Sequence, residues 1–225
     1  MKKFFVLIAA VCMTYTATFA QTVKPFKEGE RAVFLGNSIT DGGHYHSYIW
    51  LYYMTRFPDM PIRILNGGIG GDTAYDMNKR LDGDIFPMKP SVLMVTFGMN
   101  DSGYFEYNGD NPKEFGEQKY QESIKNYQQM EKRFKELPNT RIVMVGTSPY
   151  DETAQLKENA PFKTKNETIK RIVEYQKESA ARNNWEFTDL NAPMVALNQQ
   201  NQQKDPAFTL CGNDRIHPDN DGHMV

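Results

Sequence analysis

The sequence predicts a doubly wound α/β sandwich, a three-layer α/β/α arrangement with one sheet of five parallel strands. Three observations carry this. Short apolar runs alternate with longer helical stretches along the whole chain. The runs are apolar throughout rather than at every second residue, as a parallel sheet covered on both faces requires. No repeat, low-complexity tract or linker divides the chain.

The strand candidates are 31–36, 62–66, 91–98, 141–146 and 185–190. The helix candidates between and after them lie near 45–57, 73–85, 118–136, 163–183 and 191–203. In open parallel sheets, sites form at the carboxyl ends of strands, where the strand order reverses. The turns after the first three strands carry Ser38, the run Asn66-Gly-Gly-Ile-Gly-Gly-Asp-Thr73, and Gly98-Met-Asn-Asp101. Their convergence at one edge says more than any of them alone.

The chain has 225 residues, 40% hydrophobic and 24% charged, which suits one domain with a sizeable core. A formal charge of −2 gives no basic field for nucleic acid or for an anionic membrane surface. Lys2 and Lys3, the apolar run from Phe4 to Val11, and Ala20 before Gln21 read as a secretory signal peptide over residues 1–20. The expected location is secreted or periplasmic, with no membrane span. Cys12 follows Val11, where a lipoprotein site carries a small residue, so lipidation is not expected. Cys211 is then the one cysteine left, and it reads as a small loop residue rather than a redox group.

Ser38 sits on a tight turn after an apolar strand, inside Gly36-Asn-Ser-Ile-Thr40. A serine there is ordinarily a turn or helix-cap residue. With a base beside it, it becomes a nucleophile. Asp214-Arg-Ile-His217-Pro offers that base, with a carboxylate three residues before the imidazole to hold its tautomer. Gly71, or Gly70 next to it, marks a turn or presents a backbone N–H to a developing oxyanion. Asn100 ends a buried strand, as a turn residue or as an amide donor to the same oxyanion.

In order and spacing, these four blocks resemble those of the SGNH (GDSL) hydrolases, over about residues 31–223. The resemblance implies a flavodoxin-like doubly wound sheet and a carboxylic ester hydrolase that needs no cofactor. It implies Ser38 as nucleophile, Asp214 and His217 as its partners, and the N–H groups of Ser38 and Gly71 with the Asn100 amide as the oxyanion hole. Asn37 replaces the Asp of the family name and keeps the turn chemistry. In the family a helix follows the histidine. Residues 218–225 read as its beginning, so residues 21–225 are expected to form one hydrolase domain cut short at that helix.

Candidate substrate contacts are Asn37, His44 and His46 beside Ser38, and Tyr104 and Tyr107 in the long stretch 101–118, read as a loop over the site. Two histidines at i and i+2 are a poor ligand set, so no metal is expected. The substrate is a small-molecule or polysaccharide ester, foremost an O-acetylated carbohydrate. A lysophospholipase or broad short-chain esterase is the alternative, and a glycan-binding domain without turnover is the alternative of another class. The sequence carries no mark of oligomeric state.

Overall fold

The computed structural model describes residues 21–225, so the expected signal peptide lies outside the described residues. Six strands form one parallel sheet: β1 (Gln21–Thr22), β2 (Arg31–Gly36), β3 (Arg63–Gly68), β4 (Val92–Val95), β5 (Arg141–Gly146) and β6 (Glu186–Asp189). Their order is β1-β6-β5-β4-β2-β3. Five of them are the predicted strands. The sixth, β1, is a two-residue edge strand beside β6 that no apolar run announces.

The chain runs from β2 outward to β3, then crosses back to β4 on the other side of β2. The reversal leaves a crevice between the carboxyl ends of β2 and β4, so the turns after those strands face each other. Both sheet faces are buried, which explains the unbroken apolar runs. Val33, Leu35, Leu93, Val95, Ile142 and Met144 face α3 (Ala74–Arg80), α4 (Pro112–Lys135) and α5 (Lys165–Asn183). Ala32, Phe34, Val92, Met94, Val143 and Val145 face the opposite way, toward α2 (His44–Arg56). On that second face an apolar groove of about 390 Å³ runs between α2, α6 (Asn191–Gln202) and the short α7 (Asn220–Met224).

Three boundaries differ from expectation for local reasons. The helix expected at 118–136 starts six residues earlier, because Pro112 occupies its first turn, where a missing N–H costs nothing. The helix expected over 73–85 ends at Arg80 and continues as a π turn, Leu81–Ile85, that contains Gly83. The second strand extends through Gly67 and Gly68, which pair with Leu35 and Gly36. A Cβ on Gly68 would lie 2.3 Å from the Asp41 nitrogen, so glycine there lets α1 (Ser38–Asp41) rest on the end of β3.

Candidate active site

Ser38 is the first residue of α1. Asn37 caps that turn, its Oδ1 accepting the Ile39 N–H at 3.1 Å. The capping sets the direction in which Ser38 leaves the strand. Its Oγ lies 2.7 Å from Nε2 of His217, 179 residues further along the chain. Nδ1 of His217 lies 2.6 Å from Oδ2 of Asp214. The other carboxylate oxygen accepts the backbone N–H groups of Ile216 at 2.9 Å and His217 at 3.0 Å.

Partial burial opposes ionisation of Asp214, but the His217 ring and those two N–H groups outweigh it and hold the carboxyl down at about 2. An ionised carboxylate only accepts, so Nδ1 of His217 carries the proton and Nε2 is left as acceptor. The Ser38 hydroxyl therefore donates to Nε2. The hydrogen bond to Asp214 raises the pKa of His217 above its ordinary 6.5, against a smaller opposing effect of burial. The His217 and Asp214 side chains remain 46% and 47% exposed, so solvent reaches the pair from one side.

Arg215 anchors this turn. It is buried and stands at φ +66°, between the two polar residues. Its guanidinium donates to the carbonyls of Asn159 (2.8 Å), Asp151 (3.0 Å) and Ala154 (2.9 Å). The motif reading assigned it no role.

Across the crevice, the turn after β4 presents Asn100. Its Nδ2 donates to the Asp72 carbonyl at 2.9 Å and its Oδ1 accepts from the Tyr104 hydroxyl at 2.5 Å. An amide nitrogen has two hydrogens, and the second has no acceptor among the described residues. Asp101 staples the turn from within. Its Oδ1 accepts the Ala74 N–H (2.9 Å) and the Ser123 hydroxyl (3.1 Å), and its Oδ2 accepts the Gly98 N–H (3.0 Å). Beneath lies Lys165, wholly buried, whose Nζ donates to Met99 O, Ser102 Oγ and Gly103 O. Desolvation brings its pKa down to about 7. A lone lysine at a helix start carries no sequence mark of such a role.

The third wall is the turn after β3. Gly71 adopts φ +85°, which a side chain resists, whereas Gly70 stands outside the left-handed region. The conformational requirement for glycine therefore falls on Gly71. Thr73 caps α3 in a reciprocal box with Asp76. Arg80 ties this turn to the sheet. Its Nε donates to Asp72 at 2.6 Å, and its Nη2 donates to the carbonyls of Gly67 at 2.7 Å and Gly36 at 3.3 Å.

Several predicted substrate contacts need correction. Tyr107 is 3% exposed, its hydroxyl donating to the Ser102 carbonyl and paired with the Thr168 hydroxyl, so it supports the turn from inside. His46 is buried against the Phe34 ring, with Nε2 3.1 Å from the Thr40 carbonyl, and burial lowers its pKa. Asn37 is buried and occupied by its cap. His44 is exposed and stacks on His223 at 4.8 Å, next to α7. The expected long loop shrinks to 101–111, since Phe115 belongs to α4 and packs edge-on against Tyr107. Tyr104 stays at the site, attached to Asn100. Cys211 is buried, with its thiol pKa pushed up by burial, consistent with a packing role. No helix among the described residues is long and apolar enough to cross a membrane.

The fold that carries this crevice is that of a known class of ester hydrolases. The model of the GDSL-like lipase/acylhydrolase family matches residues 34–225, and the chain belongs to that family. It is a carboxylic ester hydrolase of the SGNH type. It is 26% identical over 213 residues to an acetylxylan esterase of Geobacillus stearothermophilus, covering 88% of this chain and 90% of the relative. The solved structure of that organism's acetylxylan esterase Axe2 superimposes with a TM-score of 0.68 at 24% identity, over 88% of this chain and 90% of the other, which shows the fold. A gut microbial diltiazem-metabolizing enzyme is 86% identical, with a TM-score of 0.90, over 91% of this chain. The present chain spans about half of that structure's length, 46%.

Proposed function

We propose that the protein is an exported serine esterase that removes acetyl groups from O-acetylated carbohydrates and related small-molecule acetates. The observation that carries the reading is the run of two short hydrogen bonds from Ser38 through His217 to Asp214, at 2.7 and 2.6 Å.

Ser38 Oγ attacks the ester carbonyl carbon while its proton passes to Nε2 of His217. The carbonyl π pair moves to oxygen, and the oxyanion is held by the N–H groups of Ser38 and Gly71 and the unpaired Nδ2–H of Asn100. Collapse of the tetrahedral intermediate expels the alcohol oxygen, which takes the proton from His217. Water then attacks the acyl-Ser38 carbonyl while His217 takes its proton, and collapse breaks the bond to Ser38 Oγ, which regains the proton from His217 as acetate leaves. Asp214 stays ionised and stabilises the imidazolium.

The acetyl preference is supported by the relative of Geobacillus stearothermophilus, an acetylxylan esterase. Export is supported by the charged and apolar pattern of residues 1–20.

Ser38→Ala and His217→Ala are each expected to lower hydrolysis of an aryl acetate by at least about 10³-fold with the fold intact. Wild-type turnover in Ser38→Ala removes that residue from its role. A steep preference for octanoyl over acetyl esters rejects the acetate reading and favours a lysophospholipase. Failure of a fluorophosphonate to label Ser38 leaves only a binding role for the cleft.

A further inference from the structure

An asparagine amide is a two-ended group. Turning it by 180° about its last bond exchanges a donor for an acceptor in the cleft, so an asparagine that must donate has to be held the right way round. At Asn100 both ends are engaged. The Asp72 carbonyl can only accept, so Nδ2 faces it at 2.9 Å. The Tyr104 hydroxyl donates to Oδ1 at 2.5 Å.

We propose that Tyr104 is a positioning residue: its hydroxyl holds the Asn100 amide with the second Nδ2–H turned into the crevice, and the buried Lys165 amino group holds the ring of Tyr104 in place. This rests on the reading of Asn100 as an oxyanion donor.

The Lys165 Nζ lies 3.9 Å from the centre of the Tyr104 ring, and the lysine itself is buried. The same Nζ donates to Met99 O at 2.8 Å, Ser102 Oγ at 2.6 Å and Gly103 O at 2.5 Å. One buried amino group thus links the backbone on both sides of Asn100 with the ring that reaches back to it. Phe162 meets the Tyr104 ring edge-on at 6.2 Å and limits its swing. Burial keeps the phenol protonated far above its ordinary 10, so the hydroxyl stays a donor across the working pH range.

Tyr104→Phe keeps the ring over Lys165 and removes only the hydroxyl. The expected result with an aryl acetate is a kcat about tenfold lower and a KM within about twofold of wild type. In the Asn100→Ala background the same change is expected to cost nothing further, because no amide remains to be oriented. General loosening of the turn would slow both backgrounds alike, so the double variant separates orientation from packing. An unchanged kcat in Tyr104→Phe beside an impaired Asn100→Ala overturns the positioning role alone. Losses that multiply in the double variant overturn it too. Full activity in Asn100→Ala overturns the oxyanion reading and the positioning role with it.

Discussion

Arg215 and Asp151 are joined twice: Nη1 of Arg215 donates to the Asp151 carbonyl at 3.0 Å, and the Asp151 N–H donates to the Arg215 carbonyl, also at 3.0 Å. The pairing fastens the turn that bears Asp214 and His217 onto the segment after β5. Two further carbonyls, from Ala154 and Asn159, complete the guanidinium's partners.

Arg215→Lys keeps the charge but loses the planar fork that serves three carbonyls at once. A buried carbonyl left without a donor costs on the order of 1–3 kcal/mol. The variant is expected to lose about 2 kcal/mol of stability in denaturant titrations, and its kcat should fall because His217 is no longer held over Ser38. Unfolding midpoints equal to wild type would show that the fork is dispensable.

The pH profile follows from His217. In the proposed mechanism its neutral form is the base, and the hydrogen bond to Asp214 raises its pKa above 6.5. The acid limb of kcat/KM should therefore have its midpoint above 6.5, and Asp214→Asn should move that midpoint down while lowering kcat by at least about 10²-fold. The stability contribution runs differently. Asp214, depressed to about 2 from an ordinary 3.8, contributes fully above 3.8 and loses its contribution as pH falls through about 2. His217, raised, contributes fully below 6.5 and loses its contribution as pH rises through its folded value. The pair therefore stabilises the fold most between about 4 and 6.5, on the acid side of the activity limb. A wild-type midpoint at or below 6.5 contradicts this assignment.

Gly68→Ala tests the seat of α1. The new Cβ would meet the Asp41 nitrogen at 2.3 Å and the Asp41 Cα and Thr40 carbonyl carbon at 2.8 Å, all backbone atoms that no rotamer change relieves. A cost of about 3 kcal/mol is expected, with loss of activity as Ser38 shifts with its helix. A variant that melts with wild type and turns over normally would mean that α1 moves freely over β3.

Gly70 and Gly71 separate by backbone. Gly71→Ala forces a side chain to φ +85° and should cost about 1 kcal/mol of stability, together with a fall in kcat as the peptide turns away. At Gly70 the added Cβ meets only Asp41 Oδ2 at 3.8 Å, so Gly70→Ala should be close to neutral in both measurements. The reverse pattern of kcat losses assigns the oxyanion donor to Gly70.

Much of the candidate site is legible in the sequence because turn chemistry is local. A serine after an apolar strand, an asparagine closing another, and a carboxylate three residues before a histidine are each written in a few adjacent residues. The misreadings at Tyr107 and His46 share a cause. Each lies in a stretch correctly placed beside the site, but its side chain turns inward, toward the Thr168 hydroxyl in one case and the Phe34 ring in the other. Lys165 and Arg80 left no trace because most of their partners are backbone carbonyls of distant segments, and every residue has one.

The order of strands and helices along the chain and the residues at the turns, Ser38, Asn100, Asp214 and His217 among them, were determined by the sequence, since apolar runs and turn residues act over a few neighbouring positions. Only the packing of the folded chain decided which side chains face the crevice, which glycine carries the left-handed conformation, and which buried lysine braces the Asn100 turn. Those outcomes depend on elements up to 179 residues apart meeting in one place. A hydrogen bond or a close contact forms only where three-dimensional distance, not chain distance, is short.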